Sequence, residues 1–124
     1  MKEYKRLFLV DGDSFIYKAL NGIGRLGDGD KVLIFVTTDG LRRRLKLKGY
    51  IRPNVGMIMV QPGPEAVDNR IKGFLGNTVN RECRGRIVII SHDHGYYKLI
   101  NKYRVKYGIS EPDLELKKSI QAAL

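Results

Sequence analysis

Leu7-Phe8-Leu9-Val10, running directly into Asp11-Gly12-Asp13, reads as a short strand that ends on carboxylates. The run lacks polar alternation, so both of its faces are expected to be buried, as in the middle of a parallel sheet. Three further runs repeat the pattern: Val32 to Val36 before Thr37-Thr38-Asp39-Gly40, Val55 to Val60 before Gln61-Pro62-Gly63-Pro64, and Ile87 to Ile90 before Ser91. Helical spacing fills the intervals. Pro64 can open the strongest helix, with Val67, Ile71, Leu75 and Val79 four residues apart and Phe74 widening the apolar stripe. Leu41, Leu45 and Leu47 among Arg42, Arg43, Arg44, Lys46 and Lys48 predict a shorter basic helix entered from Asp39. Ser91 or Asp93 can cap a helix carrying Tyr96, Leu99 and Ile100. A last strand is expected around Arg104 to Tyr107, and a tail helix from Glu111 to Ala122 opened by Pro112. Strands alternating with helices predict an α/β fold: a Rossmann-like parallel sheet of four to five strands with helices on both faces. In such sheets the ligand site lies beyond the carboxyl ends of the strands, where the strand order reverses.

The 124 residues show no linker or repeat and predict one domain over 1–124, a core of 1–110 followed by a C-terminal helix over 111–124. Twenty-three Lys and Arg against thirteen Asp and Glu leave a net charge of +10, which points to a polyanionic partner. A solvated basic surface is the alternative. The one cysteine, Cys83, excludes an intramolecular disulfide and a thiol metal knuckle and fits a reducing cytoplasm. Lys2, Glu3, Lys5 and Arg6 precede only four apolar residues, too few for an export signal, and no apolar stretch reaches about 18 residues. A cytoplasmic chain without a membrane partner is therefore expected. Gly22, Gly24 and Gly27 spell GxGxxG, but they follow the first strand at a distance and lead into the second. They read as a helix end and loop, not as a dinucleotide site.

The placement of the acids carries the chemistry. Asp11 and Asp13 follow the first strand, Asp93 follows the fourth, and Asp68 lies in the first turns of the strong helix. At one rim of a doubly wound sheet these three or four carboxylates converge. Like charges held together destabilise one another unless a cation offsets them. Mg²⁺ or Mn²⁺ suits oxygen ligands, and either ion can activate water and neutralise a phosphate. Helix capping by Asp11, Asp13 and Asp93, worth about 1 kcal/mol each, is the competing account. It explains Asp68 less well, since an Asp inside a helix neither caps nor favours it.

Three segments carry a resemblance: Leu9-Val10-Asp11-Gly12-Asp13-Ser14, Ala66-Val67-Asp68-Asn69-Arg70-Ile71-Lys72-Gly73-Phe74-Leu75-Gly76, and Ile89-Ile90-Ser91-His92-Asp93-His94-Gly95-Tyr96-Tyr97-Lys98-Leu99-Ile100. In this order and spacing the chain resembles the PIN-like and NYN nucleases from its first strand to about Tyr107. The resemblance implies a compact α/β domain that binds Mg²⁺ or Mn²⁺ through clustered acids and cleaves RNA or, in some members, DNA. It implies Asp11, Asp68 and Asp93 as catalytic metal ligands, with Asp13 a further ligand at a position where Asn or Asp is common. Ser91 would orient a ligand or a water. Tyr97 stands where the related proteins carry a final acid. A homodimer or a regulatory protein partner is a further implication.

Basic and aromatic groups complete the reading. Arg42, Arg43, Arg44, Lys46, Lys48 and Arg52 form the densest cationic stretch, either a phosphate track or a solvated helix face. Arg70, Lys72 and Lys98 are expected nearer the scissile phosphate. Tyr96, Tyr97, Tyr103 and Tyr107 are candidates to stack on unpaired bases, with core packing the equal alternative for Tyr96 and Tyr103. His92 and His94 flank Asp93 without a third nitrogen or sulfur ligand for zinc. The leading expectation is an endoribonuclease that cuts single-stranded RNA with metal-activated water. A catalytically weak or inactive nucleic-acid-binding module on the same fold is the alternative, favoured by Tyr97.

Overall fold

Side chains alternate along β1 (Arg6–Asp11): Leu7, Leu9 and Asp11 turn to one side, Phe8 and Val10 to the other. Both sides are covered, which is why the run tolerates no polar alternation. A computed structural model describes residues 4–79 and 85–124, and Lys2, Glu3 and Cys83 lie outside them. β1, β2 (Asp30–Val36), β3 (Val55–Met59), β4 (Arg86–Ile90) and β5 (Leu114–Lys117) form an all-parallel sheet in the order β3-β2-β1-β4-β5. The architecture is α/β and Rossmann-like, as the alternation of runs predicts. On the Leu7 and Leu9 side, Ile87 and Ile89 join them against Val67, Ile71 and Leu75 of α3 (Ala66–Thr78) and against Ile100 of α4 (Tyr97–Tyr107). On the other side, Phe8, Val10, Ile34 and Ile90 pack with Ala19 of α1 (Ile16–Ala19), Leu45 of α2 (Asp39–Leu47), and Ile120 and Ala123 of the tail.

The register places Arg6 beside Asp30 across β1 and β2. Their bond is bidentate, Nε to Oδ1 at 2.7 Å and Nη2 to Oδ2 at 2.8 Å, and Asp30 Oδ2 also accepts the Gly27 N–H at 2.9 Å. The Arg6 guanidinium outweighs the opposing effect of burial and holds the Asp30 carboxyl below the ordinary carboxylate range. A carboxyl depressed in the folded state stabilises the fold above its unfolded value of about 4, and that stabilisation is lost as pH falls through the folded value. Asp30→Ala, which strands a half-buried guanidinium, should cost about 3 kcal/mol at neutral pH and narrow the gap to the parent protein in acid. Urea melts at pH 7 and pH 3 check this; a loss under about 1 kcal/mol at pH 7 would count against it.

The C-terminal third departs from expectation. Arg104 to Tyr107, expected as a strand, is the last part of α4, in which Ile100, Tyr103 and Tyr107 follow Tyr96 at its cap at helical intervals until Gly108, in the left-handed region (φ 64°), ends the helix. The expected tail helix over 111–124 is a 3-10 turn at Glu111–Asp113, then β5, then a 3-10 turn at Gln121–Ala123. Leu114 and Leu116 alternate with Glu115 and Lys117, the period of an edge strand buried on one face, and Pro112 opens only the short turn. The GxGxxG glycines do lie in the connection between α1 and β2. Gly22 (φ 95°) packs against the tail, where a Cβ would meet the Gln121 backbone at 2.8 Å. No helix among the described residues is long and apolar enough to cross a membrane.

Candidate active site

β2 and β3 continue the sheet to one side of β1, and β4 and β5 to the other, so the chain reverses its winding between β1 and β4. The crevice of a doubly wound sheet opens there, beyond the carboxyl ends of these two strands. β1 ends in Asp11 and β4 runs into Ser91. Asp11, only 6% exposed, accepts the Asp13 N–H at Oδ1 and the Ser91 hydroxyl at Oδ2, each at 3.0 Å. Ser91 Oγ in turn accepts the Asp93 N–H at 3.0 Å. From the other loop, Ser14 Oγ accepts the His92 N–H at 2.7 Å. Two side-chain bonds therefore stitch the loop after β1 to the loop after β4.

Asp11 shares a side of the sheet with Leu7 and Leu9, the side that α3 covers. The four-residue stripe that buries Val67 and Ile71 brings Asp68 to the upper end of the same face, where its side chain is 13% exposed. Asp68 Oδ2 pairs with Lys72 Nζ at 3.0 Å, one turn along α3, while Oδ1 is buried without a hydrogen bond. The Tyr96 hydroxyl is likewise buried without a completed hydrogen bond. Burial, then the charges of Asp11 and Asp68, and less strongly that of Asp93, hold this phenol protonated far above its ordinary range. Asp68 is near enough to favour the phenol proton, although the two groups do not reach regular hydrogen-bond geometry. Burial also pushes the Asp11 carboxyl up, against the pull of the Asp13 N–H and the Ser91 hydroxyl, and the charges of Asp13 and Asp68 add to the rise.

The structure thus brings Asp11, Asp68 and Asp93 near Tyr96, with Asp13 and Ser91 bonded to Asp11. The capping account holds for Asp93, whose Oδ1 accepts the Gly95 N–H at 2.8 Å ahead of the 3-10 turn His94–Tyr96. It does not hold for Asp13, because α1 starts from Phe15 with no side-chain cap. Among the described residues, no group of three His, Cys, Asp or Glu side chains is placed to hold a metal ion. The donors are nevertheless all hard oxygens, and Asp68 Oδ1 has an unused acceptor, which is the chemistry that Mg²⁺ or Mn²⁺ takes.

The cationic residues are divided. Lys72 is committed to Asp68, and Arg70 and Lys98 are exposed on α3 and α4. Arg42, Arg43, Arg44 and Lys46 ride on α2, with Lys48 at its end, and the helix packs through Leu45 on the opposite side of the sheet from α3. Arg42 leans on Asp39 at 3.4 Å, and Lys48 Nζ lies 4.7 Å from the Tyr17 ring centre. Tyr96 is fully buried and cannot stack on a base, whereas Tyr97 is exposed beside the His94 ring. Tyr103 and Tyr107 pack partly against the core, 5.9 Å apart. Sequence reading passed over Phe15, which stands exposed at the crevice against His92; only its position after Asp11-Gly12-Asp13-Ser14 hinted at it. No family model, curated protein or solved structure matches the chain.

Proposed function

We propose that the chain is a metal-dependent nuclease of PIN-like kind, hydrolysing phosphodiester bonds of single-stranded RNA in the cytoplasm. The observation that carries the reading is the pairing of two unmatched buried oxygens, Asp68 Oδ1 and the Tyr96 hydroxyl, beside Asp11 at the sheet's switch point. Gathering acids there is costly because Asp11 is buried and Asp13 and Asp68 repel it, and a divalent cation relieves that cost. Asp11, Asp68 and Asp93 would hold Mg²⁺ or Mn²⁺, with Asp13 at the rim. When bound, the ion would neutralise the scissile phosphate and lower the pKa of the attacking water. Ser91 positions the site, fixing the Asp11 carboxylate with its proton and the Asp93 backbone with its lone pair. Lys72, Lys98 and Arg70 would bind phosphate on the α3 and α4 side, and the α2 cations would follow the strand further out.

A second reading, a binding module without turnover, has its own support. Lys72 already neutralises Asp68, the Asp93 carboxylate is turned to its cap, and Tyr97 takes the place of a further acid. Labelled single-stranded RNA and DNA, incubated with Mn²⁺, with Mg²⁺ and with EDTA, separate the two. The nuclease reading expects RNA cleavage that requires metal and is lost in EDTA. Salt-sensitive binding with no cleavage under any metal would leave the binding module, and neither binding nor cleavage would remove both.

A further inference from the structure

We infer that Phe15, braced by His92, seats an unpaired base of the nucleic acid next to the acidic site, an inference that rests on the nucleic-acid reading above and adds its substrate contact. Phe15 begins α1 in the left-handed region (φ 47°, ψ 60°), which a bulky residue seldom adopts, and this carries its ring outward, 64% exposed. The His92 ring lies 4.8 Å away at an interplanar angle of 59°, and Lys18 Nζ lies 5.6 Å from the Phe15 ring centre. The seat is held ready by the Ser14 Oγ bond to the His92 N–H and by the Phe15 carbonyl, which accepts the Ala19 N–H at 2.9 Å.

Three features favour a base over other occupants. The exposed Phe15 ring, with Lys18 and His92 beside it, is far too small and too polar in its surroundings for a stable protein interface. One ring is, however, all that a stacked base requires, and every base offers a π face. The flanking Lys18 ammonium supplies the charge that complements an adjoining phosphate, in a chain of net charge +10. The seat and the carboxylates also share the same two loops: Phe15 follows Asp11 and Asp13, and His92 stands between Ser91 and Asp93. A base on Phe15 would therefore fix the sugar-phosphate backbone beside the acids, and would restrict binding to strands whose bases are unpaired.

The test is binding in EDTA, which removes cleavage from the readout. A short single-stranded RNA carrying 2-aminopurine at one position should lose fluorescence on binding the parent protein, as stacking quenches it. Phe15→Ala should abolish the quenching and weaken affinity about tenfold, and Phe15→Tyr should restore both. An oligonucleotide with an abasic site at the quenched position should bind the parent as weakly as the intact strand binds Phe15→Ala. Unchanged quenching and affinity in a folded Phe15→Ala protein would overturn the proposal, as would failure of the parent to bind any strand. A change of sedimentation in Phe15→Ala without a change in RNA affinity would also overturn it, assigning the ring to a second copy of the chain. Quenching without metal-dependent cleavage would instead sink the nuclease and leave the base seat standing.

Discussion

Asp11→Asn should reduce metal-dependent RNA cleavage by roughly two to three orders of magnitude and, in the same protein, raise the midpoint of thermal unfolding. The two effects have one cause. Asp11 is buried at the end of β1, with Asp13 and Asp68 near enough to raise its pKa further. A charge there is useful for holding a cation and unfavourable for the fold. Asn keeps the shape and an oxygen acceptor for the Asp13 N–H or the Ser91 hydroxyl, but carries no charge to repel its neighbours. The sign with pH follows from linkage. A carboxyl whose pKa is raised on folding binds its proton more tightly in the folded state, so the parent is stabilised by protonation and loses that stability as pH rises from about 4 through the folded value. The advantage of Asp11→Asn should therefore be absent in acid and present at neutral pH. Calorimetry at pH 3.5 and pH 7, beside cleavage assays in Mn²⁺, measures both. Full cleavage by the variant, or a midpoint lower than the parent's at pH 7, would remove Asp11 from the proposed role.

Its neighbour should give the opposite phenotype. Gly12→Ala should lower stability by about 3 kcal/mol, and the thermal midpoint by about 10 °C, at every pH where the parent is folded. A Cβ at Gly12 would overlap the carbonyl oxygen of Phe35 and stand 3.1 Å from Val36 Cγ1. The same carbonyl accepts the Gly12 N–H at 2.9 Å, so the two backbones are drawn together where no side chain fits. Phe35 cannot yield cheaply, because β2 lies between β1 and β3 and is held by both. The glycine is thus what lets the acid-bearing turn leave β1 in contact with β2. Thermal melts decide the matter, and a midpoint within about 2 °C of the parent would mean that the turn rearranges at little cost.

These two positions also mark what a reader of the sequence could see. The apolar runs of β1 and β4 are buried on both faces, as their lack of polar alternation predicts, whereas β3 is a half-buried edge strand that carries the same kind of run; an acid just after such a run lies at its carboxyl end. That locates Asp11 directly and Asp93 three residues past Ile90, and the stripe of Val67, Ile71 and Leu75 locates Asp68. β5 was missed because it is a half-buried edge strand of four residues, whose signal is only two leucines in alternation. The sequence leaves Tyr96 open between core packing and a surface stack, which its burial decides, and gives no periodic signal for Phe15, whose exposure follows from a left-handed backbone. Both depend on contacts between loops far apart in sequence, which local periodicity does not encode. The division of the cations between two sides of the sheet follows from which way each crossover winds, information that resides in the strand order.

The bond from Ser91 to Asp11 joins residues eighty positions apart. Everything needed for β1, β2 and β3 is present in the first half of the chain, but Asp68 comes with the crossover to the far face and Ser91 only after β4 has been laid beside β1. A partly wound chain therefore has an unsupported Asp11 and no assembled centre. The proposed centre would belong to the finished topology alone, so a chain that has not yet laid β4 beside β1 would lack it, without needing a separate inhibitor.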